Sequence, residues 1–255
     1  MAIDEAWLKE RAGELKASLL FLTRLRYGSP AAESGAALAP AVWAFPIVGA
    51  IVGFIGAVVY RLADRMELPN WPAAVLALAA TMAVTGCLHE DGLADTVDGF
   101  GGGGSRESKL DIMRDSRIGA YGVCALALSI LLRASALASL SESALVVPAL
   151  IAAHAAARTA MPVFMHFIPP ARGDGLSAAA GRPAGERTAL AVVLGVLILV
   201  FCLGPLAGLE ATILLAIAVA LLAWLSVSQI DGQTGDVLGA VEQVSEIVVL
   251  LVAVG

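Results

Sequence analysis

The sequence predicts an all-α protein: a polytopic integral membrane bundle of about seven transmembrane helices with an amphipathic helix at its N-terminus. Three observations carry that prediction. The 255 residues are 59% hydrophobic and only 15% charged, against about 25% charged for an ordinary soluble domain. Mean hydropathy is +0.85. Seven stretches, roughly 41–60, 72–88, 118–138, 144–164, 188–206, 211–228 and 237–254, approach the ~20 apolar residues that cross a bilayer. The length suits one membrane-embedded domain over 1–255 better than two.

Residues 5–26 repeat apolar positions at helical spacing, with Lys9, Arg11 and Lys16 on the other side. That pattern fits a helix lying on the membrane surface, and equally a helix packed on the bundle. The basic region, long apolar core and small-residue cleavage site of a secretory signal are not seen there. Pro40, Pro72, Pro148 and Pro205 fall near the ends of the predicted spans, where a missing N–H matters little. Pro46 and Pro162 fall inside and are expected to kink their helices. Cys87, Cys124 and Cys202 stand alone in apolar stretches, which argues against a disulfide framework.

Orientation follows from the basic residues. With the N-terminus in the cytoplasm, the inside segments hold Lys9, Arg11, Lys16, Arg24, Arg26, Arg106, Lys109, Arg114, Arg117, Arg172, Arg182 and Arg187. The outside loops keep only Arg61 and Arg65. The positive-inside rule then places the C-terminus outside and the long polar connection 89–117 in the cytoplasm. The formal charge of −6, with no basic stripe, argues against nucleic acid as a partner and leaves the lipid bilayer as the surroundings. No internal repeat is evident, and Gly101 to Gly104 read as a linker, a hinge or a phosphate-approach loop.

The chemistry-bearing residues gather in three places. HEDGLADTVDGFGGGG holds Glu90, Asp91, Asp95 and Asp98; on a helix Asp91, Asp95 and Asp98 stand at i, i+4 and i+7 and share one face. Like charges so placed repel, and burying them unpaired beside a spanning helix would be far worse. A cation must compensate. Carboxylate oxygens suit Mg²⁺ or Mn²⁺, and no cysteine set or histidine pair favours zinc. KLDIMRDSRIGAYG holds Asp111 and Asp115, bracketed by Arg114 and Arg117. Those arginines either neutralise Asp115 or meet phosphate oxygens, for which their planar fork is suited. A second polar motif at 231–246 carries Asp236, Glu242 and Glu246. Asp236 is a helix-cap or ligand candidate, while the glutamates are expected to pair with Arg133, Arg158 or His154 inside the bundle.

The D-x-x-D-G pattern at 95–99, with D-x-x-x-D at 111–115, resembles in part the metal motif of CDP-alcohol phosphotransferases, but Phe100 and glycines stand where that family has Ala-Arg. A fuller resemblance covers nearly the whole chain. FLTRLRYG at 21–28, HEDGLADTVDGFGGG at 89–103, IMRDSRIGAYGV at 112–123 and GQTGDVLGAVEQVSE at 232–246 are similar, in order, to the cobalamin synthase family, the adenosylcobinamide-GDP ribazoletransferases. WAFPIVG at 43–49 and the Asp174-Gly175-Leu176 turn agree as well.

The resemblance implies a Mg²⁺-dependent enzyme of the bacterial or archaeal cytoplasmic membrane. Its substrates are adenosylcobinamide-GDP and α-ribazole or α-ribazole 5′-phosphate, and GMP is released. In that chemistry Glu90, Asp91, Asp95, Asp98, Asp115 and Asp236 are expected metal ligands. Asp111, Asp115 and His89 are expected catalytic groups. Arg24, Arg114, Ser116 and Arg117 are expected to hold substrate. A homo-oligomer, or an association with other late enzymes of the same pathway, is compatible with this reading. The alternatives are a phospholipid synthase that uses CDP-alcohols and a cation or proton transporter; the second is disfavoured because the densest acids lie outside the predicted spans and no repeat is present.

Overall fold

The computed structural model describes residues 5–25, 38–140 and 142–255. The end of the first motif, with Arg26, Tyr27 and Gly28, lies outside the described residues. Among the described residues the regular structure is helical, apart from one isolated bridge between Pro170 and Gln233.

Helix α1 (Glu5–Leu22) docks through its second half. Leu15, Leu19, Phe21 and Leu22 pack against the core, while Trp7 and Leu8 stay exposed. Ser18 Oγ donates to Ala41 O at 2.7 Å, and Trp43 Nε1 donates to Glu14 at 2.6 Å. A 3-10 stretch (Ala39–Ala44) then leads directly into α2 (Phe45–Arg65). Pro46 therefore stands in the first turn of α2 rather than in a helix interior, and its missing N–H there disturbs nothing. Pro162, and also Pro148, do lie inside a helix, α7 (Ser143–Phe167).

The second predicted span ends at a sharp turn. Helix α3 (Asn70–Thr85) has 16 residues, short of a full crossing. Gly86 and Cys87 both adopt left-handed backbone, φ +67° and +56°. The chain turns by 90° and continues as α4 (Leu88–Gly102). The first half of the acidic connection is thus a helix rather than a loop. Small residues explain why it is accepted between neighbours: Gly92, Ala94 and Gly99 are buried. Gly101 and Gly102 belong to α4; a Cβ on Gly101 would meet Tyr121 at 2.9 Å and one on Gly103 would meet Lys109 at 2.5–2.8 Å, so these two glycines serve close packing, while Gly104 faces open space.

Beyond α4 come the short α5 (Arg106–Ile112), then α6 (Ala120–Ser139), α7, the short α8 (Leu176–Ala180), α9 (Gly185–Leu203), α10 (Pro205–Ile230) and α11 (Gly235–Val254). Six helical stretches are long and apolar enough to cross a membrane, and the bent α3–α4 pair makes up to seven. Helix α7 is the axle of the bundle. Gly49 and Gly53 of α2 sit against its backbone at His154 and Leu150, the small-residue contact by which membrane helices approach closely. Helix α10 lies at the rim: Leu206, Leu209, Ile213, Ile217, Leu221 and Trp224 are exposed on it, a surface for lipid. Between α7, α9 and α10 runs an apolar groove of about 450 Å³, lined by residues such as Val163, Phe167, Val196 and Ala220.

One end of the bundle collects the polar connections. Arg187, just inside α9, reaches Glu14 of α1, Arg114 after α5 reaches Asp174 before α8, and Arg106 of α5 reaches the end of α10 at Ile230 O. Helix α2 carries the chain away from this end, so Arg61 and Arg65 stand at the other.

Candidate active site

Helix α4 places its acids in two different surroundings. Its first turn enters the interior. Glu90 is 5% exposed, and its Oε1 accepts from Arg133 Nη1 and Nη2 of α6 at 3.3 and 3.2 Å and from Gln243 Nε2 of α11 at 3.3 Å. Arg133 Nη1 also donates to Glu246 at 2.9 Å. On the other side Arg158 of α7 pairs with Glu242 at 2.5 Å and Glu246 at 3.3 Å, and His154 contacts Glu246. His89 lies 3.8 Å from Glu242. Ser129 Oγ donates to Gln243 Oε1 at 2.9 Å, fixing the amide between the helices. The expected pairing of Glu242 and Glu246 with Arg133, Arg158 and His154 is present in full.

His154, Glu242 and Glu246 bring ligand atoms within 4.8 Å of one another, as a metal site would. Two guanidiniums already contact those carboxylates. A divalent ion would sit against both positive charges, so we read the group as an ion-paired lock. It belongs to the interior of the bundle, where an unpaired charge is expensive. Glu90 and His89 have their contacts there, on the side of α4 away from the aspartates.

The aspartates occupy the polar end. Gly92 of α4 meets Gly239 of α11 so closely that a Cβ on Gly92 would lie 2.7 Å from Asp236 O, and one on Gly239 would lie 3.0 Å from His89 O. That contact brings Asp236 into the field of the α4 acids: Asp95 is within electrostatic reach of Asp91, Asp98 and Asp236. Asp236 stands in the first turn of α11, whose N-cap is Thr234; the Thr234 hydroxyl donates to it at 3.1 Å. Asp98 is buried and closes the N-terminus of α6, where Gly119 offers no side chain: Gly119 N and Gly122 N donate to its carboxylate at 2.7 and 2.9 Å. Among the described residues, no ion pair involves Asp91 or Asp95.

Other predicted residues lie around this end. Asp111 is exposed on α5, and Ser116 is exposed beyond it. Asp115 is bound by the side chain and backbone of Arg117, whose hydrogen bonds hold its carboxyl down at about 2. Arg114 makes two 2.7 Å bonds to Asp174. Arg24 packs over Gly86 at the α3–α4 break, with its N–H bonded to Val84 O at 2.6 Å. The structure thus gathers Asp91, Asp95, Asp98 and Asp236, and sets Asp115, Arg114 and Arg117 in exposed pairs.

Sequence reasoning did not single out Arg172 as a site residue, nor Gly92 and Gly239 as the contact that joins α4 to α11. Both glycines lie inside the recognised motifs, and Arg172 is two residues before the Asp174-Gly175-Leu176 turn. Their neighbours were therefore the available signal.

The fold and these groups define a polytopic membrane protein with a cluster of aspartates at one end of its helical bundle. The chain belongs to the family described as cobalamin-5-phosphate synthase, whose model matches residues 14–254. It is 55% identical over 240 residues to an adenosylcobinamide-GDP ribazoletransferase of Bradyrhizobium diazoefficiens, covering 94% of this chain and 92% of the relative. It is 53% identical over 236 residues to the protein of the same name from Mesorhizobium japonicum, covering 92% and 90%. The Azorhizobium caulinodans protein of that name is 44% identical over 251 residues, covering 93% and 94%. No solved structure matches the chain.

Proposed function

We propose that this chain transfers the adenosylcobinamide phosphate moiety of adenosylcobinamide-GDP to α-ribazole or α-ribazole 5′-phosphate, releasing GMP and forming adenosylcobalamin or its 5′-phosphate. The observation that carries this reading is similarity along nearly the full length to relatives bearing that enzyme's name. The cluster of aspartates at the polar end supplies its chemical reason. A ribose hydroxyl of the ribazole attacks the corrinoid-side phosphorus. A new P–O bond forms, the P–O bond to GMP breaks, and the hydroxyl proton passes to a base.

Asp91, Asp95, Asp98 and Asp236 are the residues that would hold Mg²⁺, with Asp115 a further ligand. Their donor set suits it, because Mg²⁺ binds through one or two carboxylates together with waters and phosphate oxygens and needs no closed protein cage. When bound, the ion supplies neutralisation of the charge that develops on the leaving phosphate. Asp111 is the better proton acceptor of the two acids near α5, since a carboxyl held at about 2, as in Asp115, takes a proton poorly near neutrality. Arg114 and Arg117 hold solvent-exposed partners that phosphate oxygens can replace. Ser116 and Arg24 flank the same end. Glu90 and His89 act from behind α4, through the internal lock.

The basic residues Arg106, Lys109, Arg114, Arg117 and Arg172 share an end with the aspartates, and Arg61 and Arg65 do not. That distribution supports a site facing the cytoplasm of a bacterial or archaeal cell. The test is GMP release by the purified chain in detergent, given adenosylcobinamide-GDP and α-ribazole 5′-phosphate, with Mg²⁺ or with a chelator. Turnover that needs both substrates and the metal is expected. No GMP in the complete mixture would overturn the reading; turnover undiminished by the chelator would overturn the metal.

A further inference from the structure

A residue that grips a phosphate must have donors that the protein does not already use. The arginines near the polar end differ in this respect. Arg114 has formed hydrogen bonds to exposed Asp174, with Nη2 donating to both of its carboxylate oxygens at 2.7 Å. Arg117 is committed to Asp115. Arg106 donates to Ile230 O and Ala171 O and pairs with Asp231.

Arg172 is unlike these. Its carboxylate neighbours stand at ion-pair range only, Asp174 at 3.7 Å and Asp236 at 3.6 Å. Its Nη1 is buried and has no hydrogen-bond partner. The side chain is 18% exposed, and Nη1 is the donor turned inward. The segment that carries it is fixed. Ala171 N donates to Gln233 O at 2.8 Å, Gln233 N donates to Pro169 O at 2.9 Å, and Ser177 Oγ donates to Gln233 Oε1 at 2.7 Å. Arg106 adds a bond to Ala171 O. Asp236, the nearer carboxylate, lies in turn within electrostatic reach of Asp91. A preset guanidinium with unfilled donors therefore stands one carboxylate away from the aspartates.

We infer that Arg172 is a substrate-binding residue that grips the pyrophosphate of the nucleotide-activated substrate from the side opposite the α4 aspartates. The inference rests on the proposed reaction. A guanidinium presents parallel N–H donors that match two phosphate oxygens, and charge-assisted bonds of that kind are the strong ones. Aspartates alone would repel a pyrophosphate. A cation fixed among them lowers that repulsion on the protein's own account, before any metal arrives with the substrate. Asp236 holds the fork in place while the site is open, at a distance that leaves its hydrogen bonds unformed.

The experiment uses the full chain in detergent and measures equilibrium binding of adenosylcobinamide-GDP without the second substrate, then steady-state kinetics with it. Arg172→Gln is expected to weaken binding of adenosylcobinamide-GDP by about tenfold or more, to leave KM for α-ribazole 5′-phosphate within about twofold, and to keep the melting temperature. Arg172→Lys restores part of the loss. Added guanidinium ion restores activity to Arg172→Ala, which a purely structural role would not allow. Wild-type binding by Arg172→Gln, or losses that follow the melting temperature and are equal for both substrates, would overturn the inference. If the wild-type chain itself neither binds nor turns over adenosylcobinamide-GDP, the proposed reaction fails instead, and the two outcomes are distinguishable.

Discussion

Helices α4 and α11 each carry acids into two neighbouring places with opposite settlements of charge. In the interior, Glu90, Glu242 and Glu246 are met by Arg133 and Arg158, all at most 5% exposed. At the polar end, Asp91, Asp95, Asp98 and Asp236 have no such partners among the described residues beyond Arg172 and the α6 N-terminus. The two places are close: Glu90 and Asp91 are adjacent, and Asp236 precedes Glu242 by six residues, about 9 Å along a helix. The lesson concerns access. At depth no solvent ion can serve, so the chain must provide its own cations. At the end, charge can be left for a partner that comes and goes, and that is what a catalytic site for pyrophosphate chemistry needs.

Breaking each side of this comparison separately should give different failures. The largest effect is expected from Asp95→Asn: turnover falls by on the order of a thousandfold or more, since a metal's charge stabilisation is worth several kcal/mol at about 1.4 kcal/mol per decade. The melting temperature should hold or rise as a like charge leaves the cluster. Retained activity would remove Asp95 from the site. Arg133→Ala should do the reverse, stranding Glu90 and Glu246 and destabilising the fold by about 3–5 kcal/mol. Thermal unfolding in detergent should then shift down by on the order of 10 °C; an unchanged midpoint would show that the interior network is no lock.

Smaller perturbations sharpen the boundary between the two. Gly239→Ala puts a Cβ 3.0 Å from His89 O and 3.1 Å from Gly92 Cα, so α4 must move away from α11. Kinetics should show about a tenfold loss of turnover and a raised Mg²⁺ requirement, because small misplacements of catalytic groups are costly. Normal kinetics would mean that this helix contact does not set the site. The mildest change is Arg117→Ala. It should let Asp115 rise from about 2 toward its ordinary ~3.9, visible as a displaced NMR titration. The sign follows from the depressed value: the pair contributes above the ordinary carboxylate range and is lost as pH falls toward 2. The pair lies at the surface, so the melting temperature near neutrality should not change.

Most of the span pattern was legible because each crossing needs a run of apolar residues, and such runs can be read one at a time. The α3–α4 break was not, since Gly86 can mark a helix end but gives no sign that the chain will turn by 90° there and continue as a helix. The acids on α4 were legible as a stripe at i, i+4 and i+7. Their division was not, because Glu90 faces Arg133 only once α6 is packed beside it. Likewise the sequence offered Arg114 either Asp115 or phosphate, and it binds Asp174, sixty residues away, instead.

The sequence by itself determined that this chain lives in a membrane, which residues carry its charge, and to which family its motifs belong, since those are properties of composition and local order. Only the tertiary structure decided which acids are neutralised and which are left open, and that Arg172 joins the open group. Charge compensation is a matter of distance between groups on different helices, and the Gly92–Gly239 contact that sets it has no meaning until α4 and α11 are side by side.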